Sequence, residues 1–199
     1  MEYVDFYHKG PLGIAEYTDR YKVSGDRLTD KAWFTNNDMF YLSKTEGTAG
    51  ADNLTGTVLF GMGGNDVLTA HASRDSLLYG GDGNDLLTAG AAGNDGLYGG
   101  AGNDTLVSGS GGDLMNGGEG NDTFIFSENS KGHVTVEDFN QFLGEADRMI
   151  FNGQFDDIDD FAAHLTQSNL NVIVDAGDLT ITINDITISQ LLNSDLIFT

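Results

Sequence analysis

The residues that could do chemistry in this chain stand in a file. Asp66, Asp75, Asp85, Asp95, Asp104, Asp113 and Asp122 recur at steps of 9, 10, 10, 9, 9 and 9 residues, each closing a short run rich in glycine. Gly80-Gly81-Asp82-Gly83-Asn84-Asp85-Leu86-Leu87-Thr88 has the form G-G-x-G-N-D-x-L-x, and the runs from Gly99 to Val107 and from Gly117 to Ile125 repeat it. The run from Gly61 to Thr69 departs mainly at Met62. Weaker copies lie at Gly90 to Tyr98, Ser108 to Asn116 and Ala70 to Leu78, and an outlying one runs from Gly47 to Thr55 through Asp52. Carboxylates and turn carbonyls are hard oxygen donors, and Ca²⁺ takes about six to eight of them. One run supplies too few. Two runs stacked one above the other supply enough.

Such stacking sets the demands on the surrounding elements. Glycine tolerates positive φ, so a run of glycines can turn its carbonyls inward. The three residues after each Asp read as a short strand, with Leu68, Leu77, Leu87, Leu97, Leu106, Met115 and Phe124 pointing into a core one residue wide. Coiling on this period stacks like carboxylates at the inter-strand spacing of roughly 4.8 Å. Unit charges that close repel by about 1 kcal/mol even in water. A coil with so thin a core should need the cation in order to fold.

The repeated motif resembles the nonapeptide G-G-x-G-x-D-x-U-x of the repeats-in-toxin (RTX) family, in which U is aliphatic. The resemblance covers the stretch from Gly47 to Ile125. It implies an all-β fold, a parallel β-roll with Ca²⁺ between successive turns, and it implies metal-binding roles for Asp66, Asp85, Asp104 and Asp122 and for the glycines before them. The full candidate set is Gly61, Gly63, Gly64 and Asp66; Gly80, Gly81, Asp82, Gly83 and Asp85; Gly90, Ala92, Gly93 and Asp95; Gly99, Gly100, Ala101, Gly102 and Asp104; Gly109, Gly111 and Asp113; and Gly117, Gly118, Glu119, Gly120 and Asp122. In a β-roll alternate turns share an edge. Asp66, Asp85, Asp104 and Asp122 then form one edge with three well-formed gaps, and Asp75, Asp95 and Asp113 form the other. On that second edge Ala70, His71, Ala72 and Ser73 replace glycines and Arg74 adds a positive charge, so only the gap from Asp95 to Asp113 is sound. The expectation is about four ions, with a fifth if the gap from Asp75 to Asp95 also fills.

The flanks read as covers. Residues 1–46 hold 9 of the 20 aromatics. Tyr17 to Val23 alternates like a strand, and Lys31 to Thr35 with Met39 to Ser43 flank a turn at Asn36-Asn37-Asp38. These are expected to form a β-hairpin cap, since solenoid ends need covering. Residues 127–199 are expected to form a mostly antiparallel β cap. Within them, Asp157 to Leu165 reads as a short capped helix, and Asn171 to Val174 with Leu179 to Ile183 as a hairpin. Val136 to Phe139 and Asp147 to Phe151 resemble the stretch that follows RTX rolls in secreted proteases and lipases, and Asp195-Leu196-Ile197-Phe198-Thr199 is similar to an uncleaved type I secretion signal. The resemblance therefore implies a secreted, extracellular protein and a type I secretion channel as partner.

Charge closes off other classes. The net charge of −22 argues against nucleic acid and against anionic membrane surfaces. It is concentrated: residues 47–126 hold 10 acidic and 1 basic residue together with 21 of the 28 glycines. No apolar run approaches the roughly 18 residues of a membrane span. The first residues lack the basic and apolar regions of a cleaved signal peptide. There is no cysteine, no H-E-x-x-H and no G-x-S-x-G elbow, and His8, His71, His133 and His164 are scattered. The leading expectation is a non-catalytic calcium-binding module of a larger secreted protein. The alternative is an accessory module binding an alginate-like polysaccharide, which an exposed aromatic cluster would favour and the scarcity of basic residues disfavours. A complete small enzyme is disfavoured by the missing motifs.

Overall fold

The computed structural model describes residues 2–8, 17–24, 27–28, 44–139 and 146–199, the first three stretches by backbone alone. The chain divides into two compact units, Met1–Lys44 and Thr45–Thr199. In the first, β1 (Glu2–His8) and β2 (Tyr17–Ser24) pair antiparallel, and β3 (Arg27–Leu28) adds to β2. The strand expected from Tyr17 is β2. The hairpin expected at Lys31 to Ser43 lies outside the described residues.

The second unit is a roll of two facing sheets. Its strands are β4 (Lys44–Glu46), β5 (Asn53–Gly56), β6 (Val58–Gly63), β7 (Val67–Ala70), β8 (Leu77–Asp82), β9 (Leu86–Thr88), β10 (Gly96–Ala101), β11 (Thr105–Val107), β12 (Ser110–Gly111), β13 (Leu114–Glu119) and β14 (Thr123–Phe126). They alternate between sheets, so that β6, β8, β10 and β13 stack parallel in one and β5, β7, β9, β11 and β14 in the other. The nearly all-β parallel roll is the expected architecture. Its core is a single file from each sheet: Leu59, Leu78, Leu97 and Met115 face Leu68, Leu87, Leu106 and Phe124, all fully buried.

One inward residue was misassigned. Leu78, not Leu77, fills the core, and Leu77 lies half-buried on the outer face. Strand pairing aligns Val58, Leu77 and Gly96, and places Leu59, Leu78 and Leu97 level. The extra residue of this rung therefore precedes position 76, and a slip of one residue moves every side chain to the opposite face. Ser76, not Asp75, stands level with Asp95.

The C-terminal segment also differs from expectation. It is not mostly antiparallel. Beyond the repeats, β15 (Lys131–Val136) continues one sheet from β13 and β16 (Arg148–Phe151) continues the other from β14, both parallel. After helix α1 (Ile158–Ala163), strands β17 (Leu165–Ser168), β18 (Asn171–Ala176) and β19 (Leu179–Ile183) form an antiparallel meander. Then β19 docks parallel on β15, and β20 (Asp195–Phe198), reached through α2 (Ile188–Leu191), docks parallel on β16. The roll extends because its inward alternation survives the end of the glycine motif: Val134, Val136, Met149 and Phe151 are fully buried. Phe126, Phe151, Phe155, Phe161 and Phe198 widen the core there. The predicted helix is α1, whose N-terminal amides at Asp159 and Asp160 donate to Asp157 Oδ1. The predicted hairpin is β18–β19.

Candidate metal centre

Strand register places six aspartates in one column: Asp52, Asp66, Asp85, Asp104, Asp122 and Asp147. Each links to the next by the same bond. The backbone N–H of Asp52 donates to Asp66 Oδ1 at 2.7 Å, Asp66 to Asp85 at 2.7 Å, Asp85 to Asp104 at 2.7 Å, Asp104 to Asp122 at 2.8 Å and Asp122 to Asp147 at 2.9 Å. An asparagine ladder runs the other way beside it: the N–H groups of Asn84, Asn103, Asn121 and Ala146 donate to the Oδ1 atoms of Asn65, Asn84, Asn103 and Asn121. The two ladders together fix the rise and register of the turns.

One oxygen of each central carboxylate is left over. Asp66, Asp85 and Asp104 are at most 3% exposed, and their Oδ2 atoms are buried without a hydrogen-bond partner. Burying an unpaired charge is strongly unfavourable. Burial lifts Asp104 to about 7, with the charges of Asp122 and Asp85 adding to the rise and the Asp85 amide opposing it. Asp85 is raised for the same reason, burial first.

Backbone oxygens crowd the same space. A Cβ placed on Gly61 would collide with Asp66 Oδ2 and the Gly80 carbonyl oxygen, and Gly80 and Gly99 stand in the same relation to the next turns. Farther round the turn, Gly83 and Gly102 have φ of +137° and +133°, and each lies against the carbonyl oxygen of the glycine one rung before it. Only glycine meets both demands. Among the described residues no three His, Cys, Asp or Glu side chains converge on one point. A site of one carboxylate per turn completed by carbonyls does not require that they should. An all-oxygen set with an unpaired anionic member fits Ca²⁺.

The second edge is built differently. Its column is Thr57, Ser76, Asp95, Asp113 and Val134. Ser76 N–H donates to Asp95 Oδ1 at 2.7 Å and Asp95 N–H to Asp113 Oδ1 at 3.1 Å. Here Oδ2 is not orphaned: Gly90 N–H reaches Asp95 Oδ2 at 2.7 Å, and Gly109 N–H reaches Asp113 Oδ2 at 2.9 Å. Burial raises the pKa of both carboxyls, and the in-turn amides oppose the rise. Asp75 plays the part of an asparagine, accepting from Asn94 N–H at 2.9 Å.

Sequence reasoning placed Asp52 in an outlying copy of the motif but gave it, Asp147 and the asparagines no part in the column. Asp147-Arg148-Met149-Ile150-Phe151 follows the same alternation as Asp122-Thr123-Phe124-Ile125-Phe126, which was the available signal. Asp138 also joins the end of the roll, its carboxylate accepting from Gly117 N–H at 2.9 Å and Gly118 N–H at 2.8 Å.

An aromatic cluster does exist. Phe60, Tyr79 and Tyr98 form a ladder on the outer face, with centroids 5.1 and 4.9 Å apart and planes within 15° of parallel.

The fold and the site together define a calcium-binding β-roll. Residues 46–87, 77–106 and 89–124 match the family of the RTX calcium-binding nonapeptide repeat (4 copies), so this stretch is an array of RTX repeats, a calcium-binding rather than a catalytic element. No curated protein sequence matches the chain. Among solved structures, the extracellular lipase LipA from Serratia marcescens is 19% identical, over 99% of this chain and 26% of that chain, with a TM-score of 0.29. Among the described residues no helix is long and apolar enough to cross a membrane.

Proposed function

We propose that this chain is a secreted module that completes its fold by binding calcium outside the cell. The carrying observation is the row of buried Oδ2 atoms of Asp66, Asp85 and Asp104, which have no hydrogen-bond partner. When bound, calcium supplies the positive charge and the oxygen coordination that this row lacks. The chain's own part is to hold the oxygens: the amide ladder fixes each Oδ1, and the glycine turns bring carbonyls to each Oδ2. About four ions fit this reading, on the basis that one gap between stacked turns makes one set of oxygens. Three lie between Asp66, Asp85, Asp104 and Asp122, and one between Asp95 and Asp113.

The same reading extends to export. The chain is a module of a secreted protein, threaded unfolded through a type I channel by a signal within residues 127–199. Supporting it are the run Asp195-Leu196-Ile197-Phe198-Thr199, the acidity of the roll, and the weakness of extracellular calcium sites, which work at about 10⁻⁴–10⁻³ M and stay empty in a cytosol. Titrating the chelator-stripped chain with calcium in a calorimeter tests the binding. About four ions per chain support it; no calcium uptake overturns it.

A further inference from the structure

The turn from His71 to Ser76 breaks the pattern of the roll in a way that the glycine turns do not. Ser76 is 6% exposed and occupies the column position that Asp95 and Asp113 fill in the next two turns of the same edge. Its hydroxyl performs the carboxylate's task within the turn. His71 N–H donates to Ser76 Oγ at 3.2 Å, as Gly90 N–H does to Asp95 Oδ2. Ser76 Oγ–H donates in turn to the Arg74 carbonyl at 3.1 Å, and Ser73 N–H donates to His71 Nδ1 at 3.2 Å. No residue from 70 to 76 has positive φ, whereas Gly93, in the matching turn of the next rung, has φ +113°. The turn is thus closed by neutral donors and acceptors, carries no buried carboxylate, and has already committed the Arg74 carbonyl to a hydroxyl.

We infer that the His71–Ser76 turn is a calcium-free rung, closed by the Ser76 hydroxyl in place of a cation, so that the second edge holds its ion between Asp95 and Asp113 alone. Asp75, the turn's own acidic residue, is exposed and accepts from Asn94 N–H. The roll therefore contains one turn whose geometry does not depend on the metal. This inference rests on the calcium reading of the other turns.

Calcium stoichiometry of the full chain and its variants tests it, by calorimetry and by direct metal analysis after gel filtration. Asp75→Asn keeps the acceptor for Asn94 N–H and removes the charge; it should bind as many ions as the parent chain with the same affinity. Ser76→Ala should also keep the ion count while lowering the melting temperature by the same amount at sub-saturating and at saturating calcium. Asp95→Asn should lose one ion. Loss of an ion in Asp75→Asn overturns the inference, as does an ion count unchanged by Asp95→Asn. If Ser76→Ala does not fold, Asp75→Asn and Asp95→Asn decide alone. A parent chain that takes up no calcium sinks the reading of the whole roll; a parent that binds calcium, with an ion lost in Asp75→Asn, sinks this inference only.

Discussion

Asp66 N–H donates to Asp85 Oδ1 at 2.7 Å across 19 residues of sequence, and Asp85 Oδ2 is left buried and unpartnered. One carboxylate therefore has two separate duties. The first oxygen holds the rungs in register, and the second waits for a cation. Substitutions can separate them. Asp85→Asn keeps an acceptor for the Asp66 amide and removes the charge. It should weaken calcium binding and, at saturating calcium, cost less stability than a substitution that also removes the acceptor. Asp85→Ala also orphans a buried amide, at a cost of about 1–3 kcal/mol. Thermal melts at saturating calcium distinguish them; equal loss for both variants contradicts the division of duties.

The glycine turns predict a contrast between two alanine substitutions. Gly102 has φ +133° and its Cβ would strike the Gly83 carbonyl oxygen. Gly102→Ala should cost at least about 1–3 kcal/mol in backbone strain alone, and should also raise the calcium concentration needed to fold. Gly177, in the β18–β19 turn, has φ +77° with nothing within 4 Å of an added Cβ. Gly177→Ala should cost only about 1–2 kcal/mol and leave calcium binding unchanged. Denaturant melts with calcium titrations check both.

Stability of the metal-free chain should run against pH in an unusual direction. Burial and neighbouring carboxylates hold Asp104 protonated up to about 7, above the usual carboxylate range. A carboxyl whose folded pKa is raised stabilises the fold at low pH, and that contribution is lost as pH rises through about 7. In chelator, acidification from pH 8 towards 5.5 should increase β structure. In calcium the proton competes with the cation, so the folding midpoint should shift to higher calcium as pH falls. A chelated chain that loses β structure on this acidification contradicts the pKa assignment.

Removing residues 150–199 should abolish secretion of the chain from a type I host. The deletion takes the second half of β16 and everything after it, including β19 and β20, which dock parallel on β15 and β16. Comparing medium with cell lysate checks the outcome. Secretion at the full-length level shows that the signal lies elsewhere.

The sequence made the roll legible because its period is written in residues with few substitutes. Glycine marks the left-handed turns, Asp marks the column and Leu marks the core. It was less legible where other chemistry did the same work. Ser76 replaces an aspartate in the column and shifts the count by one residue, which sent Leu77 inward on paper and Leu78 inward in the fold. Asp147 lies 25 residues beyond Asp122, too far for a nine-residue period to announce, and reaches the column because β16 pairs with β14. Antiparallel pairing was read into the C-terminal segment from the one hairpin visible there. Parallel docking of β19 and β20 depends on contacts distant in sequence that alternation alone does not specify.

Far-UV circular dichroism of the full chain in millimolar calcium and in excess chelator tests the central claim most directly. Among the described residues, the buried Oδ2 atoms of Asp66, Asp85 and Asp104 have no hydrogen-bond partner. The account predicts a β spectrum in calcium, its loss in chelator, and its return when calcium is restored. A full β spectrum in chelator at pH 8 would contradict it.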